Sequence, residues 1–229
     1  MIDLSNYDIA RTNMIKQQIR TWSVTDEDVI GALSAVRRED FVPLAHHALA
    51  FSDLRIPLLS PAEDALQRGH CMLEPRIEAR VLQDLHLKPT DKVLEVGAGS
   101  GYMAALLGAR SQRVITMELE PKLVDMARSN LQKAGITNVE VRKADGSKGL
   151  AGEGPFDAIV LSGSVAEVPA ALLSQLKVGG RLAAIVGFDP VMRATLITRT
   201  GESTYTTSQP WDTVAPRLVN FPEPARFRF

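Results

Sequence analysis

The chain reads as an α/β protein on a doubly wound, mostly parallel sheet, because a short apolar run breaks into a glycine-rich turn, the next apolar run ends on an acid, and strand-like and helix-like segments then alternate over about a hundred residues. The first run is Lys92-Val93-Leu94-Glu95-Val96, and the turn is Gly97-Ala98-Gly99-Ser100-Gly101-Tyr102. Val93, Leu94 and Val96 suit a strand covered on both faces, with Glu95 interrupting the run where the strand ends. Gly97, Gly99 and Gly101 let the backbone turn sharply and let a ligand approach where a Cβ would block it. The run Ala104-Ala105-Leu106-Leu107 then starts a helix whose N-terminal amides point at that ligand. A tight strand-to-helix turn also forms with no ligand at all, so the segments that follow carry the argument.

A second strand, Arg113 to Glu118, ends on an acid 17 residues after Gly101, the distance at which an open α/β sheet presents a carboxylate to a ribose. The plain alternative for Glu118 is a solvated acid at a strand end. Pro121 then opens a helix with Leu123, Val124, Ala127, Leu131 and Ala134 on one stripe, stopped by Gly135. A third strand, Val139 to Lys143, leads into Ala144-Asp145-Gly146, a pair of residues that is also frequent in ordinary turns. A fourth strand, Phe156 to Leu161, runs into Ser162-Gly163-Ser164. The pattern predicts a helix from Pro169 through Leu176, a turn at Gly179-Gly180 and a fifth strand from Arg181 to Gly187. Two further strands, Ala194 to Arg199 and Arg217 to Phe221, flank a polar segment and give the sheet an antiparallel C-terminal strand.

The first 75 residues read differently, as an N-terminal helical extension and a loop preceding the domain formed by residues 76–229. Helices are expected from Tyr7 to Thr21, from Asp26 to Val36 with Thr25 as cap, and briefly after Pro43. Between Phe51 and Pro75 the breakers Pro57, Pro61 and Gly69 predict irregular chain, and an ordered loop of that length is more often functional than idle. A helix with Ile77, Val81, Leu82 and Leu85 on one face follows and ends near Lys88-Pro89.

Composition narrows the function. A net charge of −1 over 229 residues predicts no broad electrostatic pull on nucleic acid. A single cysteine excludes an intrachain disulfide and a cysteine-rich zinc site. No segment has the length of a membrane span, and the N-terminal residues, with Asp3, Asp8, Arg11 and Lys16, lack the apolar stretch of a signal peptide. A cytoplasmic protein is expected.

The glycine spacing distinguishes two cofactor classes. A dinucleotide fingerprint needs a third glycine where Tyr102 stands, which disfavours an NAD-dependent oxidoreductase. The G-x-G-x-G spacing preceded by an acid resembles the first motif of class I S-adenosylmethionine-dependent methyltransferases, in which the turn cradles the methionine part of the cofactor. More selectively, Met14-Ile15-Lys16-Gln17-Gln18-Ile19, Val36-Arg37-Arg38-Glu39-Asp40-Phe41-Val42-Pro43, Phe51-Ser52-Asp53 and Leu54-Arg55-Ile56-Pro57 resemble the protein-L-isoaspartate O-methyltransferase family. Asp145-Gly146, Pro155-Phe156-Asp157 and Gln175 to Gly180 continue the likeness in the family's order over almost the whole chain. The resemblance implies a Rossmann-like methyltransferase sheet. It also implies S-adenosyl-L-methionine as cofactor, held by Glu95, Gly97, Gly99, Ser100, Gly101, Glu118 at the ribose, and Asp145 and Gly146 at the adenine amino group. Isoaspartyl-containing proteins are the implied substrate, methylated on the α-carboxylate as the first step of repair.

Such chemistry needs no general base. A carboxylate with a reference pKa of about 3.5 is already ionised at neutral pH. Catalysis then rests on holding its oxygen in line with the sulfonium methyl. His46, His47, His70 and His86 accordingly read as surface or helix residues, with only His70 placed to touch substrate, and Cys71 as a small side chain rather than a nucleophile. The chain departs from the family in the loop that binds substrate. Where the family has Gly-Gln-Thr-Ile-Ser-Gln-Pro, with the serine hydroxyl near the reacting carboxylate, this chain has Gly69-His70-Cys71-Met72-Leu73-Glu74-Pro75. Leu73 has no hydroxyl to donate, and Glu74 brings a negative charge towards an anionic substrate. Ser60, Ser162 and Ser164 are the candidate replacement donors. A methyltransferase acting on another acceptor, or a non-catalytic protein that binds S-adenosylmethionine, stay open beside the isoaspartyl reading.

Overall fold

The computed structural model describes residues 4–224. The chain begins with α1 (Leu4–Met14), which continues through a π-helical turn (Ile15–Ile19) and a 3-10 turn (Arg20–Trp22), and then α2 (Glu27–Ala35). Two 3-10 turns (Arg38–Phe41, Leu44–Leu49) lead to the two-residue strands β1 (Ile56–Pro57) and β2 (Cys71–Met72), which pair with each other and bracket α3 (Ala62–Gln67). The stretch expected to be irregular therefore holds a short helix and a small antiparallel bridge. Asp26, not Thr25, caps α2: its carboxylate accepts the amides of Asp28 at 2.9 Å and Val29 at 3.3 Å, satisfying two donors that a helix start leaves without partners.

After α4 (Pro75–Leu85) come β3 (Lys92–Val96), α5 (Tyr102–Arg110), β4 (Arg113–Glu118), α6 (Pro121–Lys133), β5 (Val139–Lys143), β6 (Phe156–Val165), α7 (Ala170–Leu173), β7 (Leu176–Phe188), β8 (Val191–Arg199) and β9 (Tyr205–Asp212). The large sheet has the order β5-β4-β3-β6-β7-β8-β9. Its first five strands are parallel and the last two antiparallel. The strand order reverses at β3, with β4 on one side and β6 on the other, so the crevice beyond the carboxyl ends of these strands is the place where open α/β sheets bind ligands.

Two expectations fail at the C-terminal side. The helix after Pro169 stops at Leu173, and Leu176 already pairs with Phe156 as the start of β7. The next paired residues are Ala158 and Arg181, so Lys177 to Gly180 bulge out of the ladder instead of forming a turn between elements. Arg217–Phe221 is not a strand. It makes one parallel bridge, Arg217 to Ser164, and Asn220 has a left-handed φ of 66°. The last strand is instead the polar segment Tyr205–Asp212, which is largely exposed along the sheet edge and so carries no apolar alternation to announce it.

One apolar cluster ties the extension to the sheet, running from Met14, Ile19 and Leu33 through Phe41 and Leu82 to Val93, Leu106 and Val124. On α6 the expected stripe of Leu123, Val124, Ala127 and Leu131 is buried, while Ala134 falls just past the helix end and is exposed. Among the described residues, no helix is long and apolar enough to cross a membrane.

Candidate active site

The site is built on the end of β3. Gly97 has a φ of 96°, its amide donates to Met117 O at 2.8 Å, and a Cβ there would lie 3.2 Å from Leu218 Cδ2 and 3.4 Å from Ser162 O. Only glycine combines that backbone with so close a roof. The amide of Gly99 donates to Glu118 Oε2 at 3.0 Å, and Glu118 Oε1 accepts the amides of Leu119 at 2.7 Å and Glu120 at 3.0 Å. The carboxylate at the end of β4 is thereby fixed beside the glycine turn by three backbone donors.

Three adjoining cavities meet at Gly97. The largest, about 420 Å³, has Gly97, Gly99, Glu118, His70, Ser162 and Leu218 on its wall. A shallow one of about 60 Å³ is lined by Val96, Glu118, Asp145, Gly146, Val219 and Phe221. The third, about 40 Å³, lies between Leu73, Ser100, Tyr102, Ser162 and Ile185. Of the residues singled out in the sequence, Gly97, Gly99, Ser100, Glu118, Asp145, Gly146, Ser162 and Leu73 therefore share one connected region.

The remaining ones lie apart. Glu95 is fully buried beneath the turn, where Oε1 accepts Ser162 Oγ at 2.6 Å and Oε2 accepts Thr116 Oγ1 at 2.7 Å. Burial pushes its carboxyl up to about 7, against the opposing effect of those two hydroxyls. Gly101 is the N-cap of α5 and faces α6. Ser60 is exposed and is on the wall of none of the three cavities. Ser164 is fully buried and its hydroxyl finds no partner among the described residues.

Asp145 accepts the amide of Ser147 through Oδ1 and Asn220 Nδ2 through Oδ2, both at 2.9 Å. Slight burial acts upward on its carboxyl, but these bonds and the charge of Lys148 outweigh it and hold the group below the usual range. The Cys71 thiol, by contrast, is pushed up to about 11 by burial, which leaves it protonated and inert at neutral pH.

Sequence reasoning missed what supports the loop. Arg38, fully buried, forms an ion pair with Glu78 and donates to Ala50 O at 3.1 Å and Leu73 O at 2.7 Å. Its guanidinium lies 4.8 Å from the Tyr102 ring centre. Burial pushes the Glu78 carboxyl up while Arg38 pulls it down. The side chain of Leu73 packs with Ile77, Ile185, Met192 and Ala215, and Glu74 is paired with Arg55 at 3.5 Å. The charge of Glu74 is thus compensated within the protein.

A family model described as protein-L-isoaspartate(D-aspartate) O-methyltransferase matches residues 10–213. The chain belongs to this family. It is 39% identical over 197 residues to the protein-L-isoaspartate O-methyltransferase of Koribacter versatilis, covering 86% of this chain and 85% of that one. With the protein of the same name from Methanoculleus marisnigri it is 38% identical over 177 residues, 77% of each chain. Among solved structures, a protein-L-isoaspartate O-methyltransferase superposes with a TM-score of 0.75 at 24% identity over 90% of this chain, which spans 64% of that longer protein. A Plasmodium falciparum protein described as a putative member, solved with S-adenosyl-L-homocysteine, superposes with a TM-score of 0.74 at 21% identity, covering 92% of this chain and 98% of that one. The fold, the methyltransferase class and the S-adenosylmethionine cofactor expected from the sequence are those of the family.

Proposed function

We infer that this chain transfers the methyl group of S-adenosylmethionine to the α-carboxylate of L-isoaspartyl residues in damaged proteins. The observation that carries the reading is the pair of carboxylates, Glu118 and Asp145, flanking adjoining cavities at the glycine turn of β3. Their chemistry fits the cofactor. Glu118 keeps a lone-pair site on Oε2 for a ribose hydroxyl beside its three amide donors, a second carboxylate suits the 6-amino group of adenine, and the main cavity is within the roughly 300–1,000 Å³ typical of small-molecule sites. Glu95, Gly101, Gly146 and Ser100 belong to the same reading as the frame of the turn. When bound, the cofactor supplies an electrophilic methyl on a sulfonium. The protein's own contribution is then positioning and water exclusion, since an isoaspartyl carboxylate is ionised without help. A cytoplasmic repair role accompanies this reading.

A second reading, methylation of a different acceptor, is favoured by one observation: Leu73, at the family's serine position, is packed into an apolar cluster. Ser162 and Ser60 are the proposed substitute donors; Ser162 borders the main cavity but donates its one proton to Glu95 Oε1, so it reaches an acceptor only by leaving that bond. Labelled S-adenosylmethionine offered with an isoaspartyl peptide and with its normal aspartyl isomer tests both readings. Base-labile methyl ester on the isoaspartyl peptide alone is the expected result. No transfer to either peptide, with the cofactor bound, would reject isoaspartate as the acceptor.

A further inference from the structure

Residues Pro216 to Phe221 cross the carboxyl ends of β3 and β6 directly above the glycine turn. The segment is anchored at its start: Ser164 N donates to Pro216 O at 2.7 Å, Leu218 N donates to Ser164 O at 2.9 Å, and Arg217 Nη2 donates to Gly187 O at 2.8 Å. Leu218 presses on Gly97 and Gly163. Beyond Leu218 the segment is held again at Phe221, buried in the apolar cluster of Leu94 and Val96, and by the Arg217–Glu223 ion pair at 3.0 Å, leaving Val219 and Asn220 between the two anchors. Val219 is 57% exposed, Asn220 turns the chain through its left-handed φ of 66°, and its side-chain amide bonds Asp145 Oδ2 at 2.9 Å before Phe221 returns to the core.

Leu218 and Val219 line both the 420 Å³ cavity at Glu118 and the 60 Å³ cavity at Asp145. The smaller cavity is a recess of about 60 Å³ at Asp145 that adjoins the larger one. An adenine reaching Asp145 comes up against Leu218 and Val219, which line both cavities. Asn220 Nδ2 and the adenine 6-amino group are both NH₂ donors on a planar conjugated frame, and both would address the same carboxylate. We propose that Asn220 is a latch on the cofactor site, competing with adenine for Asp145 while Val219 and Asn220 swing aside between the Leu218 and Phe221 anchors to admit it. This rests on the placement of adenine at Asp145 given above.

The latch has a signature that a merely structural residue lacks, because removing it strengthens binding. Asn220→Gly keeps the left-handed backbone and deletes the amide. Asn220→Asp keeps size and backbone and sets a like charge against Asp145. Calorimetry with S-adenosylhomocysteine should show both variants binding five- to tenfold more tightly than the parent, with faster association by stopped flow. Adenosine alone should show the same gain. Asp145→Ala, made in the Asn220→Gly protein so that the latch is already absent, serves as the second arm and should weaken binding relative to Asn220→Gly alone. If it does and the Asn220 variants bind no more tightly than the parent, the latch is wrong and the adenine placement stands. If Asp145→Ala leaves the affinity of the Asn220→Gly protein unchanged, the placement fails and the latch with it.

Discussion

Ser162 Oγ donates to Glu95 Oε1 at 2.6 Å, so the hydroxyl best placed at the main cavity is committed to a fully buried carboxyl group under the glycine turn. The consequence is electrostatic as well as geometric. Glu95 has its folded pKa raised from 4.5 to about 7, chiefly by burial. Between those values the native protein holds a proton that the unfolded chain has released. The stability contributed by this group is therefore complete below pH 4.5 and is lost as the pH rises to about 7. Glu95→Gln removes the titration while keeping an acceptor. Urea unfolding at pH 5 and pH 8 should show the variant gaining on the parent by about 2–3 kcal/mol between the two conditions, since one pKa unit is worth about 1.4 kcal/mol. Glu78 is present in both proteins, and its electrostatic coupling to Glu95 is part of the difference read between the two profiles. Parallel pH profiles would show that Glu95 is not protonated in the folded state.

Glu118 tests the ribose contact. Its carboxylate holds three backbone amides, so an alanine would also loosen the turn, and Glu118→Gln is the sharper variant. Removing the charge while retaining an acceptor should weaken S-adenosylhomocysteine binding about tenfold, given about 1.5–3 kcal/mol for hydrogen bonds to a charged group. The melting temperature should fall as well, because the new amide NH2 faces at least one of the three backbone donors, so affinity is measured at a temperature where the variant is folded. Parental affinity in the folded variant would rule out the contact.

Gly101 separates turn geometry from ligand binding. Its φ is 86°, and a Cβ there would sit 3.3 Å from the Cα and carbonyl oxygen of Ala127 and 3.3 Å from Leu131 Cγ. Gly101→Ala should cost about 1–3 kcal/mol through the left-handed backbone and crowding against α6. Cofactor affinity, measured where the variant is folded, should change less than fivefold because the new methyl faces α6. A large affinity loss with unchanged stability would place this residue on the ligand instead.

How much of this was legible in the sequence follows the range of the interactions. β4 and β5 have the bounds that their apolar runs and flanking turns announce, and the glycine turn, Glu118 and Asp145 are legible because each follows directly from a strand end. The edge strand β9 was not, because Tyr205 to Asp212 lies largely in solvent and needs no apolar alternation. Arg217 to Phe221 has strand-like residues but is held by Ser164, Gly187 and Asp145, contacts 30 to 75 residues away that no local pattern encodes. Arg38 is similar. Its arginine is visible in the sequence, but its bonds to Leu73 and Glu78, 35 and 40 residues on, exist only in the folded chain.

Leu73 links stability to specificity. Its side chain, 8% exposed, packs with Ile77, Ile185, Met192 and Ala215 and also borders the cavity next to the glycine turn. Leu73→Ser removes apolar burial and should destabilise the protein by about 2–4 kcal/mol, in the range of large-to-small core changes. The same substitution restores the hydroxyl of the family loop at a backbone position that Arg38 fixes through Leu73 O. Below its lowered melting temperature the variant should methylate isoaspartyl peptide about tenfold faster than the parent, because a hydrogen bond to the ionised acceptor is worth about 1.5–3 kcal/mol. Cofactor affinity should stay within a factor of about two, a difference of only about 0.4 kcal/mol. A parent that already turns over isoaspartyl peptide on the order of 10 per second, with a variant that is less stable and no faster, would show that this position does not limit acceptor choice. The search for the hydroxyl donor would then move to Ser162, with Ser162→Ala as the measurement that decides.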